Sequence, residues 1–115
     1  MSWQKLFENP TTPIFPVLFR AEKSGQFKNH ITAVFPTLPG TSARDFTTYA
    51  HVGQHGIGTY QWYWRTRPAT LEEYSALLRE LRLIYEEDKD LKLKVVHRIT
   101  QDMARERAKN LTRYP

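Results

Sequence analysis

The chain contains no cysteine, which removes disulfides, thiolate nucleophiles and cysteine-ligated zinc together. It also has no apolar run approaching the ~20 residues that a membrane-crossing helix requires. Met1–Pro10 lacks a basic start followed by an apolar block, so no secretory signal is expected and the expected compartment is the cytoplasm. The sequon at Asn110 is then fortuitous. Acidic residues are missing between Asp45 and Glu72, which leaves that stretch locally positive. Glycine is scarce as well, and three of the five glycines fall within Gly53–Gly58.

Charge is unevenly placed around that stretch. The chain carries a formal +5 with a pI of about 9.6. Residues 1–69 contribute +4, residues 70–90 contribute −4 and residues 91–115 contribute +5. This pattern favours an anionic partner for the first and last segments, although a modest basic excess also serves solubility alone. A chain of 115 residues with 40% hydrophobic content suits one domain with a single core. The expected organisation is an N-terminal arm (1–13), one domain (14–99) and a basic C-terminal helix or tail (100–115).

Alternating apolar residues predict strands at about 16–22, at His30–Phe35 and at Phe46–Val52. Pro16 places the first strand at an edge or delays its start. The connections are short enough for an antiparallel meander, because a parallel pair needs a crossover of about a dozen residues. Thr70-Leu-Glu-Glu73 is a capping box that opens a helix over Thr70–Tyr85. Its stripe of Leu71, Tyr74, Leu77, Leu78, Leu81, Ile84 and Tyr85 must bury against the sheet. Alternation resumes at Leu91–Ile99, with Leu91, Leu93 and Val95 inward and Lys92, Lys94 and Arg98 outward. A last helix over Thr100–Thr112 has only Met103, Ala104, Ala108 and Leu111 as an apolar side, which predicts light docking or projection. The expected fold is therefore α+β: an antiparallel sheet of about four strands, one main amphipathic helix on one face and a basic C-terminal helix.

Three motifs bear on function. Tyr60, Trp62, Tyr63 and Trp64 with Arg65 and Arg67 combine flat rings and guanidiniums, the pairing that stacks unpaired bases and meets phosphates. The same residue types are enriched at protein–protein hot spots, and the rings also suit a core beside the main helix. Adjacent side chains cannot all point into one core, so Trp62 or Trp64 is expected at least partly in solvent. Gly53, Gln54, His55 and Gly56 follow a strand, with His51 just before them, in a setting where backbone amides cradle phosphate. The glycine spacing matches neither a dinucleotide fingerprint nor a P-loop, and a simple turn at the strand end explains it better. His51 and His55 lack a third ligand, so neither a metal site nor a cofactor is expected. A general acid or base at His55 has no assignable partner.

Val17–Glu22, Thr32–Gly40, Tyr49–His55 and Thr66–Tyr74 together resemble a family of small, functionally uncharacterised bacterial proteins often found on phages and other mobile elements. The resemblance covers about residues 14–99 and implies a cytoplasmic accessory role, with no activity or site to transfer. Family members often carry a cysteine in the turn after the Gly-Gln-His, where this chain has Ile57 and Gly58. The leading expectation is a non-enzymatic nucleic-acid-binding module using Tyr60, Trp62, Trp64, Arg65, Arg67, Lys92, Lys94 and Arg98. The alternative is a protein-interaction module, either a homodimer or a mobile-element-encoded regulator of a host protein. An enzyme or ligand site in the Gly53–Gly58 loop comes third.

Overall fold

The computed structural model describes residues 14–50, 54–87 and 91–113. The expected N-terminal arm, His51, Val52, Gly53 and part of the acidic turn after the main helix lie outside the described residues. Among the described residues the fold is α+β, built on a mixed six-stranded sheet and three helices. The strands are β1 (Ile14–Glu22), β2 (Ile31–Pro39), β3 (Asp45–Ala50), β4 (Gln54–Thr59), β5 (Thr66–Pro68) and β6 (Lys92–Val95). The helices are α1 (Tyr60–Arg65), α2 (Leu71–Arg82) and α3 (Gln101–Arg113).

The order β4-β3-β2-β1-β5 is an antiparallel meander closed by a short fifth strand. The last strand departs from the antiparallel expectation, because β6 runs parallel to β1 with Ile14 opposite Lys92 and Val17 opposite Val95. The carbonyls of Val17 and Phe19, two residues apart and so on one edge of β1, accept from Val96 N at 2.9 Å and Ala69 N at 3.0 Å. β6 and β5 therefore lie end to end along the same edge. The parallel return is allowed because α2 supplies the crossover.

β1 is central rather than an edge, and its period-two alternation feeds two cores. Val17 and Phe19 join Ala33, Phe35, Tyr49 and Leu93 beneath Tyr74, Leu77, Leu78 and Leu81 of α2. Phe19 stacks on Tyr74 at 4.3 Å between centroids. Leu18 turns the other way and packs with Val34, Phe46 and Tyr63 of α1. The expected helix over Thr70–Tyr85 is realised as α2, with both hydrogen bonds of its capping box, followed by a single π-helical turn (Leu83–Glu87). Leu71, assigned to the buried stripe, is 65% exposed, because its first-turn position precedes the contact with the sheet.

The second face is where the fold departs furthest from a one-helix cover. α3 packs across β2 and is held by polar rather than apolar groups. Arg107, 2% exposed, donates to Ala43 O (3.0 Å), Pro36 O (2.9 Å) and Tyr60 Oη (2.7 Å). Its guanidinium also lies 5.1 Å from the Tyr60 ring centroid and 5.6 Å from that of Phe46. Asn110 donates from Nδ2 to Thr37 O at 2.8 Å. Pro36 has no N–H to give to the ladder, and the β2–β3 register shifts between Phe35 and Pro39. That irregularity leaves the Pro36 carbonyl free to receive Arg107.

Candidate functional site

Six residues are too few for a stable helix in water, so α1 depends on its ends. Thr59 caps the start, its hydroxyl accepting from Trp62 N at 3.1 Å. Arg20, 6% exposed, holds the other end: its Nη2 donates to Tyr63 O (3.0 Å) and Thr66 O (2.6 Å), and its Nε to Thr66 Oγ1 (2.9 Å). Its guanidinium lies 4.2 Å from the Tyr63 ring centroid. A cation at the carbonyl end of a helix opposes the dipole, and burial pulls the Arg20 pKa below its ordinary value. The result is a short, rigid platform pinned to β1.

The 100° step of the helix then sorts the aromatic run. Tyr63 points at the sheet and is 4% exposed. Trp62 and Trp64 flank it on opposite sides. Trp62 is half-buried, with its indole Nε1 donating to Glu22 Oε2 at 2.9 Å. Trp64 is 71% exposed, and the Tyr63 ring meets its ring edge-on at 5.1 Å between centroids. Gln61 and Arg65 complete the outward face, and Arg65 makes no hydrogen bond or ion pair among the described residues. Tyr60 faces inward, engaged by Arg107 and edge-on to Phe46.

The basic residues expected to assist divide into two groups. Arg67 is engaged: its fork meets Glu73 bidentately at 2.8 and 2.7 Å, and Nη2 also donates to Asn29 Oδ1 at 3.1 Å. The Arg67 hydrogen bonds hold the Glu73 carboxyl down at about 2. Lys92, Lys94 and Arg98 are exposed. Leu93 and Val95 of β6 pack toward α2, so Lys92 and Lys94 turn to the opposite side, the one that carries α1 and α3. Of the arginines in α3, Arg107 is internal, and exposed Arg105 pairs with Asp102.

The described part of the glycine segment is a strand. Gln54–Thr59 is β4, paired in unbroken register with β3 from Ala50 opposite Gln54 to Asp45 opposite Thr59. The amides of β4 that face β3 are thereby committed to the ladder. Gly58 is demanded by packing, since a Cβ there would stand 2.6 Å from Phe46 Cε1. His55 faces the α2 side, where its Nε2 is hydrogen-bonded to Tyr85 Oη and its ring meets Tyr49 edge-on at 4.8 Å. Tyr49 in turn donates to Glu80. Burial pushes the Tyr85 phenol up. These contacts stitch the outer strand to the end of α2, and among the described residues no set of three metal-ligating side chains is present.

On the α1 side of the sheet a shallow hollow of about 230 Å³ opens between β4 and α1, with Thr32, Thr48, Ala50, Gly56 and Gly58 as floor and Trp62 as wall. Sequence reasoning missed this hollow, as it missed Arg20 and Arg107. The available signal for Arg20 was a charged residue on an inward phase of a strand covered on both faces. No family model matches the chain, and neither a curated protein nor a solved structure matches it.

Proposed function

We propose that the protein is a non-enzymatic binding module for single-stranded nucleic acid, reading it through the outer face of α1. The observation that carries this reading is Trp64: a side chain 71% exposed, next to the Arg65 guanidinium, which has no partner among the described residues, on a helix fixed at both ends. Exposed rings that stack bases and cations that meet phosphate are the two requirements of sequence-tolerant strand binding. Lys92, Lys94 and Arg98 extend the positive surface, and the +5 net charge favours approach of a polyanion. Among the described residues no helix is long and apolar enough to cross a membrane. A cytoplasmic accessory role on a mobile element, the role implied by the family resemblance, belongs to the same proposal. Titration with single- and double-stranded oligonucleotides at low ionic strength tests it. Single strands bind more tightly, Trp64→Ala weakens them about tenfold, and absence of binding ends the proposal.

One observation favours a second reading, a homodimer. β4 is an outer strand of the sheet, and from Phe46 to Trp64 the sequence has no Asp, Glu, Lys or Arg. Ile57 on it is 54% exposed. Outer strands are ordinarily guarded by charge, proline or a bulge, and an unguarded one pairs with its own copy. Sedimentation equilibrium decides this: a monomer at high micromolar concentration excludes it.

A further inference from the structure

The hollow beside Trp62 lies across α1 from Trp64 and has its own chemistry. Resting on the nucleic-acid reading above, we infer that it seats one unpaired nucleobase, stacked on Trp62 and hydrogen-bonded by the hydroxyl of Thr48.

Thr48 is 8% exposed and lines the hollow, yet its hydroxyl has no hydrogen-bond partner among the described residues. Solvent in the open hollow reaches this hydroxyl, so it stands ready to hydrogen-bond a ligand that enters. Gly56 supplies an independent sign. Its φ is not positive, and a Cβ there would meet only Thr48 Oγ1, at 3.1 Å. Backbone geometry therefore does not demand glycine at this position, whereas packing does demand it at Gly58. Glycine inside a strand weakens the strand and marks close approach by a ligand or another chain. At Gly56 the missing side chain leaves the Thr48 hydroxyl uncovered and the hollow open.

The walls select the ligand class. The Trp62 ring is fixed in place by its hydrogen bond to Glu22, so its face is presented without further loss of rotamer freedom. None of the lining residues is Asp, Glu, Lys or Arg, in a chain that carries +5. A phosphate finds no lysine or arginine here. A neutral planar ring with polar edges finds a stacking face and a hydroxyl. The volume of about 230 Å³ falls below the roughly 300 Å³ at which drug-sized pockets begin, which suits one ring system rather than a larger ligand. Arg65 and Lys94 then serve the backbone outside the hollow.

The test uses the full chain carrying Trp3→Phe and Trp64→Phe, which leaves Trp62 as the sole tryptophan. It is titrated with an eight-nucleotide oligothymidylate and with the same backbone made abasic. The expected result is quenching of Trp62 by the base-bearing strand alone and affinity about tenfold above the abasic strand, the scale of one stacked base. Gly56→Val should remove that difference while leaving abasic affinity unchanged. Thr48→Val, nearly isosteric, should reduce it about threefold and serves as the second variant if Gly56→Val melts early. If the base-bearing strand binds but Trp62 is not quenched and both variants bind like the parent, the hollow is not the seat and the nucleic-acid reading survives. If neither strand binds at low salt, both readings fall. Quenching of Trp62 by neutral saccharides and not by the base-bearing strand also overturns the assignment.

Discussion

Replacing Arg107 by alanine tests the least expected contact in the fold. The side chain is 2% exposed and its three hydrogen bonds tie α3 to Pro36, Ala43 and Tyr60. Truncation leaves the two carbonyls without their donor, at about 1–3 kcal/mol for each acceptor that water cannot reach. It also forfeits the contacts of the guanidinium with the Tyr60 and Phe46 rings. Against this stands relief of the guanidinium's own desolvation, since no carboxylate pairs with it among the described residues. The net loss should be about 3 kcal/mol. For a domain of this size that corresponds to about 12 °C in Tm, read by far-UV circular dichroism. Arg107→Lys keeps charge but not the planar fork and should lose about half as much. Hydrogen exchange supplies the local readout, because α3 amides should lose protection before those of β1 and β2. A fall of less than about 2 °C with α3 still protected would refute the argument that polar contacts dock this helix.

Other consequences are as direct. Leu81, 0% exposed at the centre of the α2 face, should cost about 2–5 kcal/mol on truncation to alanine, and an unchanged denaturation midpoint would remove the core assignment. Glu73 titrates at about 2 in the folded chain, below its ordinary 4.5, so its contribution is present above pH 4.5 and lost as pH falls toward 2. Carboxyl NMR should show that midpoint and an upward move in Arg67→Ala; a Glu73 midpoint near 4.5 in the parent protein contradicts the bidentate pair. Iodide should quench Trp64 far more than Trp62 when Trp62→Phe and Trp64→Phe variants are compared, and equal quenching would contradict the sorting of rings around α1.

The parts of the fold legible in the sequence were those in which hydrophobic period and local chemistry agree. Thr70–Glu73 carries both halves of its capping box, and Tyr74, Leu77, Leu78 and Leu81 repeat at helical spacing, so α2 follows from residues alone. β4 was illegible because glycine disfavours strands. It forms because β3 offers a full ladder and because His55 and Tyr85 fasten it from the α2 side. The parallel placement of β6 was likewise unreadable, since alternation fixes which residues face the core but not which neighbour the strand takes.

The candidate site shows the same division. That one tryptophan of the pair at Trp62 and Trp64 must stand outside follows from the geometry of adjacent residues, and Trp64 does. Arg67 appears in sequence as one of two equivalent arginines. Only the approach of Glu73 and Asn29, brought by α2 and by the β1–β2 turn, separates it from Arg65. The thin apolar stripe of α3 predicts weak docking, because apolar residues contribute little to holding this helix. Arg107 and Asn110 dock it by satisfying carbonyls that the irregularity at Pro36 leaves open, a complementarity visible only once β2 is folded.

The central claim is that the outer face of α1 holds a single nucleic acid strand. Its most direct measurement is the salt dependence of oligonucleotide affinity for the parent chain, Trp64→Ala and Arg65→Ala. The account predicts a linear fall of log affinity with log salt, a slope reduced by about one phosphate contact (roughly 0.7) in Arg65→Ala, and about tenfold weaker binding with unchanged slope in Trp64→Ala. Affinity that ignores salt, or two variants that bind like the parent, would contradict it.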